Sequence, residues 1–303
     1  MKKIDVLLPI YNESLDYVSK SIQSILNQTY NYFKLIIIFD SPTNYEVINY
    51  VENLKMSDLR IITIKNKTNI GLVASLNKAI QYCTDDYVAR MDADDISELD
   101  RFEKQINFLE KNHLDFIGSN AIGFSENKVL YKTELPVDDD TIKKNLRLGN
   151  CFFHPTFFFK TEILKNIQYE NALYCEDYLF VLRVANSNYK MGNNPEYLLK
   201  YRVNLNSISN SHAAEQYIYA KYIKKLYKKN KNIDMLEFEN YCNSIKCKKK
   251  IKKAVVFFDL KKQYKNENKI LKKYFFLQKM FFISPSDFLF FSYSKFKNNY
   301  KKS

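Results

Sequence analysis

The segment Lys34–Asp40 reads KLIIIFD, and its five consecutive large apolar residues form a run of strand length that ends at the turn signal Ser41-Pro42. A short apolar run without alternation is typical of a strand that is buried on both faces. Ile4–Ile10 (IDVLLPI) is a second run of this kind. The two segments therefore predict buried strands of an α/β fold.

Helical periodicity alternates with such strands over the first 120 residues. Apolar residues in Glu13–Asn27 recur at the spacing of one helix face. The same alternation predicts further helices at 45–54, 72–82 and 98–112, and further strands at 60–65 and 86–91. Four strand-then-helix units in series predict an open, mostly parallel sheet flanked by helices.

The rest of the chain divides at about residue 212. Residues 115–212 mix predicted strands at 116–122 and 156–160 with a helix at 176–186. Residues 213–303 carry 23 lysines, no arginine and seven acidic residues, whereas residues 1–212 carry 24 basic and 27 acidic residues. The net charge of +13 therefore comes from a Lys-rich, helical C-terminal region, and we predict two parts, 1–212 and 213–303.

Composition excludes several classes of protein. Gly and Pro together make up only 11 of 303 residues, which excludes collagen-like and low-complexity chains. The five cysteines are scattered without a C-x-x-C pair, which predicts reduced thiols in a cytosolic protein. Asp5 interrupts the first apolar run, so we expect a strand there and not a targeting segment. No run reaches the roughly 18 apolar residues of a membrane span, and the expected location is the cytoplasm.

Polar side chains follow each of the four predicted strands. Ligands of an open parallel sheet bind beyond the carboxyl ends of its strands. The residues there are Pro9, Tyr11 and Glu13 after the first strand, Asp40 after the second, Asn69 after the third, and Arg90, Asp92, Asp94 and Asp95 after the fourth. We therefore expect one rim to combine a tyrosine ring, an acceptor for uracil or ribose, and a cluster of carboxylates.

The sharpest local signal is RMDADD at residues 90–95. Asp92 and Asp94 are two residues apart, so both project from one face if strand geometry continues. Carboxylate oxygens suit Mg²⁺ or Mn²⁺, which can bridge a diphosphate, and three carboxylates within four residues repel one another unless a cation or donors lie between them. The alternative is that Asp94 or Asp95 caps the following helix.

Several short motifs in fixed order resemble the family 2 glycosyltransferases, which have the GT-A fold. The motifs are LPIYNE at 8–13, SILNQT at 24–29, NIGL at 69–72, ARMDADD at 89–95 and CEDY at 175–178, with HPT at 154–156 and YRVN at 201–204. The resemblance covers about residues 3–210. The last two motifs are similar to those of the bacterial branch that builds lipooligosaccharide, capsule and O-antigen chains.

The resemblance implies a role for individual residues. The nucleotide-sugar pocket would contain Pro9, Tyr11, Glu13, Asp40, Asn69, Arg90 and Asp92. Asp94 would ligate Mn²⁺ or Mg²⁺, and Asp177 would be the general base. Candidate contacts to the diphosphate or acceptor are Glu176, His154 and Arg202.

Some of these residues have a second interpretation, and the chain departs from the family pattern twice. His154 lies among phenylalanines, as a core residue would, and Glu176-Asp177 also suits the start of a helix. Phe39-Asp40-Ser41-Pro42 lacks the usual second Asp and Gly. Asn204 replaces a frequent His, which removes an imidazole contact.

The chemistry predicts a single displacement. A divalent cation stabilises the charge on the departing diphosphate, and a carboxylate takes the proton of the attacking hydroxyl. One base without a second nucleophilic carboxylate predicts inversion. The predicted function is metal-dependent, inverting transfer of a hexose or N-acetylhexosamine from a UDP-sugar to a glycan or lipid-linked glycan of the bacterial surface.

Two other functions remain as alternatives. A sugar-phosphate nucleotidylyltransferase would carry a Gly-rich phosphate loop after the first strand, and Pro9–Glu13 contains no Gly. A non-catalytic scaffold would bind a nucleotide sugar or lipid without turnover.

The basic C-terminal region has three interpretations. Its lysines and aromatic residues suit adsorption to an anionic membrane, which predicts a peripheral protein at the inner face of the cytoplasmic membrane. A solvated helical bundle fits equally well. Nucleic-acid binding is disfavoured because the region has no Arg for bidentate contacts.

Overall fold

The computed structural model describes residues 1–126, 128–204, 211–229, 233–284 and 287. Residues 288–303, the end of the predicted Lys-rich region, lie outside the described residues.

The described residues form one mixed sheet. Its strands are β1 (Ile4–Ile10), β2 (Phe33–Phe39), β3 (Ile61–Lys65), β4 (Tyr87–Arg90), β5 (Ile96–Ser97), β6 (Phe116–Ser125), β7 (Lys128–Lys132), β8 (Phe158–Lys160) and β9 (Met191–Arg202). The strand order is β3-β2-β1-β4-β8-β6-β9-β5, and β7 pairs with β6. The pairs among β1–β4 are parallel, as is β6 with β9, whereas β8, β7 and β5 join antiparallel. The predicted four-unit parallel half is therefore confirmed, and a mixed half extends it.

Helices cover the sheet and form the C-terminal region. They are α1 (Leu15–Leu26), α2 (Tyr45–Ser57), α3 (Leu72–Ile80), α4 (Arg101–Lys111), α5 (Asp139–Leu146), α6 (Glu176–Ala185), α7 (Ala213–Lys228), α8 (Met235–Asn243), α9 (Ile245–Asn266) and α10 (Ile270–Ile283). The ends follow local capping. α1 begins two residues later than the predicted Glu13, because the Ser14 side chain accepts a hydrogen bond from Tyr17 N and caps the helix.

The two faces of the sheet bury different apolar sets. Alternate residues of β1, such as Val6 and Leu8, pack with Ile22 of α1, whereas Leu7 packs with Leu76 of α3. This alternation is the period-two pattern of a strand. Since helices lie on both sides, the strands are apolar on both faces, which accounts for the unbroken run in β2.

The C-terminal helices share a core with the sheet. Ile218 and Ile223 of α7, Phe238 of α8 and Ala254 of α9 belong to the same buried cluster as Phe116 of β6. The apolar core is therefore continuous across residue 212. The division of the chain into 1–212 and 213–303 stays a prediction.

The structure contains elements that the sequence does not predict, and one helix begins later than predicted. The unpredicted elements are β5, β7, β9 and α5, and α4 begins at Arg101 and not at Glu98. The reason for the shorter helix is β5, which pairs antiparallel with Leu199 and Lys200 of β9 and holds the chain extended just before α4.

The sequence also predicts reduced cysteines and no membrane-spanning helix. All five cysteines lie in the described part of the chain and are free thiols, as predicted. Among the described residues no helix combines the length and apolar character needed to cross a bilayer.

Candidate active site

The carboxyl ends of β1 to β4 open a rim because β4 leaves β1 early. β4 pairs with β1 only as far as Arg90 opposite Leu7, whereas β2 continues alongside to Ile10. Pro9 is buried two residues beyond Leu7, where no strand on the β4 side requires a donor. A proline is therefore tolerated in a central strand, and it lines the opening.

Asp40 braces the loop that carries Asn69. Its Oδ1 accepts hydrogen bonds from Asn66 Nδ2 (2.9 Å) and Ile70 N (2.8 Å), and its Oδ2 accepts one from Gly71 N (2.8 Å). Gly71 has φ of 85°, which an L-residue rarely adopts, so glycine is required at this turn. Asp40 is only 5% exposed, so it shapes the loop, and Asn69 is its exposed tip.

The segment after β1 folds back on its own carboxylate. Glu13 Oε2 accepts a hydrogen bond from Tyr11 N at 2.7 Å, and the Asn44 side chain donates to the Glu13 carbonyl. The Tyr11 ring is exposed. Burial raises the pKa of Glu13, and Asp92 raises it further while Arg90 lowers it, so Glu13 faces the acidic turn.

Arg90 is the buried cation of this rim. Its Nη1 donates to Asp92 Oδ1, and its side chain is 2% exposed. Arg90 Nε is also buried and donates to no acceptor among the described residues. An unpaired buried donor is costly, so the guanidinium suits an anionic ligand at this point.

The acidic turn does not continue the strand, so the expectation that Asp92 and Asp94 project from one strand face is wrong. β4 ends at Arg90, and residues 93 and 94 form a turn closed by a 3.4 Å hydrogen bond from Asp95 N to Asp92 O. Among charged groups, Asp92 has the largest effect on the pKa of Asp94, so the two carboxylates nevertheless lie close together. Turn geometry, and not strand alternation, brings them together.

Asp95 ties the turn to β9 and does not cap α4. Its Oδ1 accepts a hydrogen bond from Arg202 N at 2.7 Å, and Arg202 Nε donates to the Asp94 carbonyl at 2.8 Å. The Arg202 guanidinium lies 4.1 Å from the ring centroid of Tyr17 and 4.6 Å from that of Phe124. Arg202 therefore holds the acidic turn in place, and its contact to a diphosphate stays a prediction. The residue before α4 is Asp100, so the alternative that Asp94 or Asp95 caps this helix is wrong.

A second buried arginine, Arg101, supports the backbone at Arg90, just before the acidic turn. Arg101 Nη2 donates to the Arg90 carbonyl at 2.8 Å, and Arg101 Nε donates to Gln105 Oε1 at 2.9 Å. Burial lowers the pKa of Arg101 to about 9, and the Asp95 carboxylate opposes this shift. Asp95 Oδ2 is buried without a hydrogen-bond partner among the described residues. Burial, then Asp92 and Asp94, raise the pKa of Asp95 well above its usual value.

The acidic turn fits a divalent cation in part. Burial, then Asp92 and Glu13, raise the pKa of Asp94 to about 7. A cation beside Asp94 and Asp92 would remove this repulsion, and their oxygens are hard ligands. Within the described ranges no three His, Cys, Asp or Glu side chains converge on one point. The remaining ligands would therefore come from a bound diphosphate or water.

Glu176 and Asp177 begin α6, as predicted. Asp177 accepts hydrogen bonds from Asn150 Nδ2 at 2.8 Å and from Tyr178 N at 2.6 Å. Burial, and then the neighbouring Glu176, raise the pKa of Asp177 to about 7. Burial also raises the pKa of Glu176, on which Arg90 and Asp92 act with opposite signs. The helix start and the acidic turn therefore lie within electrostatic reach of each other.

The turn before Glu176 is strained and is held by α7. Leu173 and Tyr174 have φ of 29° and 64°, in the region that side chains disfavour. Gln216 Nε2 donates to the Tyr174 carbonyl at 2.9 Å, and the His212 ring stacks on the Tyr174 ring with centroids 4.3 Å apart. No sequence signal predicts this support, because the contact joins residues about 40 positions apart.

His154 is hydrogen-bonded inside the protein. Its Nε2 lies 2.8 Å from the Tyr169 hydroxyl, and its ring packs edge-on against Phe157. Burial, and then Arg90, lower its pKa well below the usual value. The imidazole is therefore neutral and has a protein partner, and its contact to a ligand stays a prediction.

Comparison with known proteins identifies the family. The sequence model of glycosyl transferase family 2 matches residues 5–179, more than half of the chain. The chain belongs to glycosyltransferase family 2. The O-antigen biosynthesis glycosyltransferase WbnJ of Escherichia coli is a relative with 35% identity over 214 residues, which cover 69% of this glycosyltransferase and 82% of WbnJ.

Solved structures share the fold of this glycosyltransferase. S. aureus TarS 1–349 in complex with UDP-GlcNAc superposes with a TM-score of 0.62 at 18% identity, over 78% of this chain and 69% of that one. Mannosyltransferase PcManGT from Pyrobaculum calidifontis, in complex with GDP-Man and Mn²⁺, has a TM-score of 0.58 at 14% identity, over 88% and 76%. The predicted GT-A-like fold is confirmed.

Proposed function

We propose that this family 2 glycosyltransferase transfers a hexose or N-acetylhexosamine from a UDP-sugar, with inversion, to a glycan or lipid-linked glycan of a bacterial surface polysaccharide. The observation that carries the proposal is the convergence of two acidic groups. Arg90 and Asp92 both act on the pKa of Glu176, so the Glu176–Asp177 pair lies within electrostatic reach of the acidic turn. Burial raises the pKa of Asp94 and that of Asp177 to about 7. Relatives and neighbours that act in O-antigen biosynthesis or bind UDP-GlcNAc support the substrate classes.

The donor would lie across the carboxyl ends of β1 to β4. Tyr11 offers an exposed ring, and the Asp40-braced loop presents Asn69. The buried Arg90 Nε faces no acceptor among the described residues and suits a phosphate oxygen. Pro9, Glu13 and Asp92 complete the proposed pocket.

The acidic turn would hold the metal. Asp94, with Asp92 beside it, would bind Mn²⁺ or Mg²⁺, and a neighbour that binds GDP-Man together with Mn²⁺ supports this choice. When bound, the cation stabilises the negative charge of the departing diphosphate. Arg202 fixes the Asp94 backbone, so the carboxylate position is set before a ligand arrives.

Asp177 would take the proton of the acceptor hydroxyl. Its Oδ1 and Oδ2 each accept one hydrogen bond, which fixes the carboxylate plane and leaves other lone pairs free. A carboxylate of pKa about 7 is a stronger base than an ordinary aspartate and is half ionised near neutral pH. Glu176 lies beside it. With Asp177 as the one base and no carboxylate assigned as a nucleophile, the proposed outcome is inversion.

A panel of nucleotide sugars tests the proposal. The protein is mixed with UDP-glucose, UDP-galactose, UDP-GlcNAc or UDP-GalNAc, in Mn²⁺ or in EDTA, and thermal shift and UDP release are measured. At least one donor should stabilise the protein and release UDP only with the metal. Asp177→Asn should abolish release and keep the thermal shift, while Asp140→Asn on exposed α5 is the matched control.

Two results would contradict this account. Donor binding without UDP release from the wild-type protein indicates the non-catalytic scaffold. Unchanged turnover in Asp177→Asn removes the base assignment.

We also propose that residues 213–303 form a separate functional part that holds the enzyme at an anionic membrane. Phe275, Phe281 and Phe282 of α10 are exposed, and Lys279 Nζ lies 4.2 Å from the centroid of the Phe275 ring. The face of α9 that is turned to solvent carries exposed lysines at 248, 249, 252, 253 and 262. Exposed aromatic rings beside lysines suit the lipid interface, where each Lys contributes about 1 kcal/mol.

Vesicle co-sedimentation tests the membrane proposal. The full chain should bind phosphatidylglycerol vesicles at low salt, and phosphatidylcholine vesicles or high salt should release it. The double variant Phe275→Ser/Phe282→Ser should bind more weakly, whereas Leu59→Ser, an exposed apolar residue of the other part, should not. Equal binding to both vesicle types, or an unaffected double variant, would exclude this surface.

A further inference from the structure

Two tyrosines flank a glycine where β6, β7 and β9 lie side by side. Gly123 of β6 pairs with Tyr131 of β7 on one side and with Tyr201 of β9 on the other. Residues directly opposite each other on neighbouring strands project from the same face of a sheet. Both rings therefore lie on one face, and we call the row Tyr131–Gly123–Tyr201 the tyrosine shelf.

Gly123 is what allows the Tyr131 ring to lie over the sheet. A Cβ at position 123 would be 2.3 Å from Cε1 and 2.4 Å from Cζ of Tyr131, which is far inside van der Waals contact. The register between β6 and β7 shifts between Gly123 and Phe124, at a bulge. Bulges re-aim side chains and are frequent beside active sites. The local backbone is thus arranged to seat this ring.

The residue that follows β7, Thr133, is hydrogen-bonded to β6, and this fixes the position of the tyrosine shelf. Thr133 Oγ1 accepts a hydrogen bond from Ala121 N and donates one to Asn120 Oδ1. The Tyr201 ring packs edge-on against Phe153 with centroids 5.3 Å apart. Tyr131 remains 40% exposed, and neither tyrosine hydroxyl is hydrogen-bonded to another residue that the structure describes.

The shelf adjoins the acidic turn. Burial, then Asp92, Asp95 and Asp94, raise the pKa of the Tyr201 hydroxyl, and Tyr131 contributes to the same shift. Burial, and then Asp95, raise the pKa of Tyr131. Hydrogen bonds place the strand there as well. Arg202, the residue after Tyr201, donates to Asp95 Oδ1 at 2.7 Å and to the Asp94 carbonyl at 2.8 Å, so β9 is bonded to the turn that would hold the metal and diphosphate.

The strand order decides which substrate meets the shelf. The proposed nucleotide pocket lies at the ends of β1 to β4, in one half of the sheet. The shelf belongs to β6, β7 and β9, in the other half, with the acidic turn after β4 between them. A ligand on the shelf therefore lies across the turn from the nucleotide.

We propose that the tyrosine shelf is the subsite for the acceptor sugar, whose pyranose ring lies with its C–H groups on the exposed face of Tyr131. This inference rests on the proposed glycosyl transfer. An aromatic face provides apolar contact area, and free hydroxyls at its edge serve the sugar hydroxyls. Beside the acidic turn, a sugar on this shelf has its reacting hydroxyl near the donor.

Binding of simple glycosides tests the shelf separately from turnover. The probes are the octyl β-glycosides of glucose, galactose, N-acetylglucosamine and mannose, added to the full chain with UDP and Mn²⁺. Dissociation constants come from saturation-transfer NMR. For the glycoside that binds best, Tyr131→Ala should raise the dissociation constant about threefold to tenfold, because a stacked ring contact is lost.

Matched variants separate the ring from the fold. Tyr131→Phe keeps the ring and should stay within about twofold of wild type, whereas Gly123→Ala displaces the ring and should resemble Tyr131→Ala. Tyr82→Ala removes a similarly exposed tyrosine before β4, at the opposite end of the strands, and should have no effect. UDP affinity and metal-dependent UDP release from UDP-sugars into water should be unchanged in all of them.

The outcomes distinguish failure of the proposed subsite from failure of the proposed function. An unchanged dissociation constant in Tyr131→Ala, or no binding of any probe to wild type, overturns the subsite even when UDP release is intact. Weaker UDP binding in Tyr131→Ala overturns it too, because the shelf would then serve the donor. A wild-type protein that releases no UDP from any UDP-sugar overturns the proposed function and the shelf with it.

Discussion

The side-chain amide of Asn150 donates a 2.8 Å hydrogen bond to the carboxylate of Asp177. The bond favours the ionised form, whereas burial and the Glu176 carboxylate favour the protonated form and raise the pKa to about 7. Asn150 precedes β8, and Asp177 begins α6, so two separate elements set the state of one carboxylate. Whether this aspartate works as a base is therefore open to a pH experiment.

The rate of transfer should depend on the ionisation of Asp177. A base must be deprotonated to act, so kcat/KM should fall below a midpoint near pH 7. Asn150→Ala removes a donor to the ionised form, and the midpoint should rise by roughly half a unit to one unit. The measurement is UDP release between pH 5 and 9. Asn166→Ala, whose amide contacts Tyr189, is the control and should keep the wild-type midpoint.

A downward or absent shift in Asn150→Ala would show that another group governs the acidic limb. The direction of the shift is the decisive result, since a general loss of folding lowers the rate at every pH.

Metal affinity should depend on Asp94. Asp94→Asn removes the negative charge and keeps the size, so binding of Mn²⁺ in the presence of UDP should weaken at least about tenfold. Mn²⁺ electron paramagnetic resonance counts free metal and needs no turnover. Asp140→Asn removes the same charge from exposed α5 and should bind Mn²⁺ as wild type does. Equal affinity in Asp94→Asn would place the metal elsewhere or remove it from the proposal.

The elements that the sequence predicts are those with local patterns. β1 to β4 are short, mostly apolar runs, and α1 shows one periodic face, so burial and period identify them. β9 escapes prediction because Asn193 and Asn194 interrupt its apolar pattern. Asn193 is buried and donates to the carbonyls of Pro136 and Cys151. These partners are distant in sequence, so no local signal indicates that an asparagine can lie inside a sheet.

The candidate site also has a part that the sequence predicts and a part that it does not. The residue types at the strand ends point to the rim, since topology brings the carboxyl ends of parallel strands together. The contacts that hold these rim residues in place cannot be predicted from sequence spacing. Asp95 is bonded to Arg202, 107 positions away, and Gln216 supports Tyr174 from the C-terminal region. Such contacts depend on the packed fold.

Stability should depend on the buried charges behind the acidic turn. Arg101→Met removes a buried cation whose pKa responds to Asp95, together with the donors to the Arg90 carbonyl and to Gln105 Oε1, so the free energy of unfolding should fall by about 3 kcal/mol. Urea denaturation followed by circular dichroism measures the change. Lys111→Met on the exposed end of α4 should alter it by less than about 0.5 kcal/mol.

A second substitution distinguishes lost charge compensation from lost packing. Arg101→Met/Asp95→Asn also removes the ionisable group of Asp95, and Asn can still accept from Arg202 N, so the part of the stability that charge compensation supplied should return. If the double variant is no more stable than Arg101→Met, then packing and not charge explains the effect.

The C-terminal region should support catalysis through Gln216. Gln216→Leu removes the donor to the Tyr174 carbonyl and releases the strained turn at Leu173 and Tyr174, which leads directly into Glu176-Asp177. We expect kcat to fall about tenfold with an unchanged donor KM, because the base is displaced while the nucleotide pocket is intact. Gln263→Leu, an exposed glutamine of α9, is the control. A support role further requires that the pH midpoint assigned to Asp177 moves in Gln216→Leu, since a change in folded fraction alone scales the rate without moving that midpoint. A fall in kcat at a constant midpoint and constant thermal stability would assign Gln216 no part in positioning Asp177.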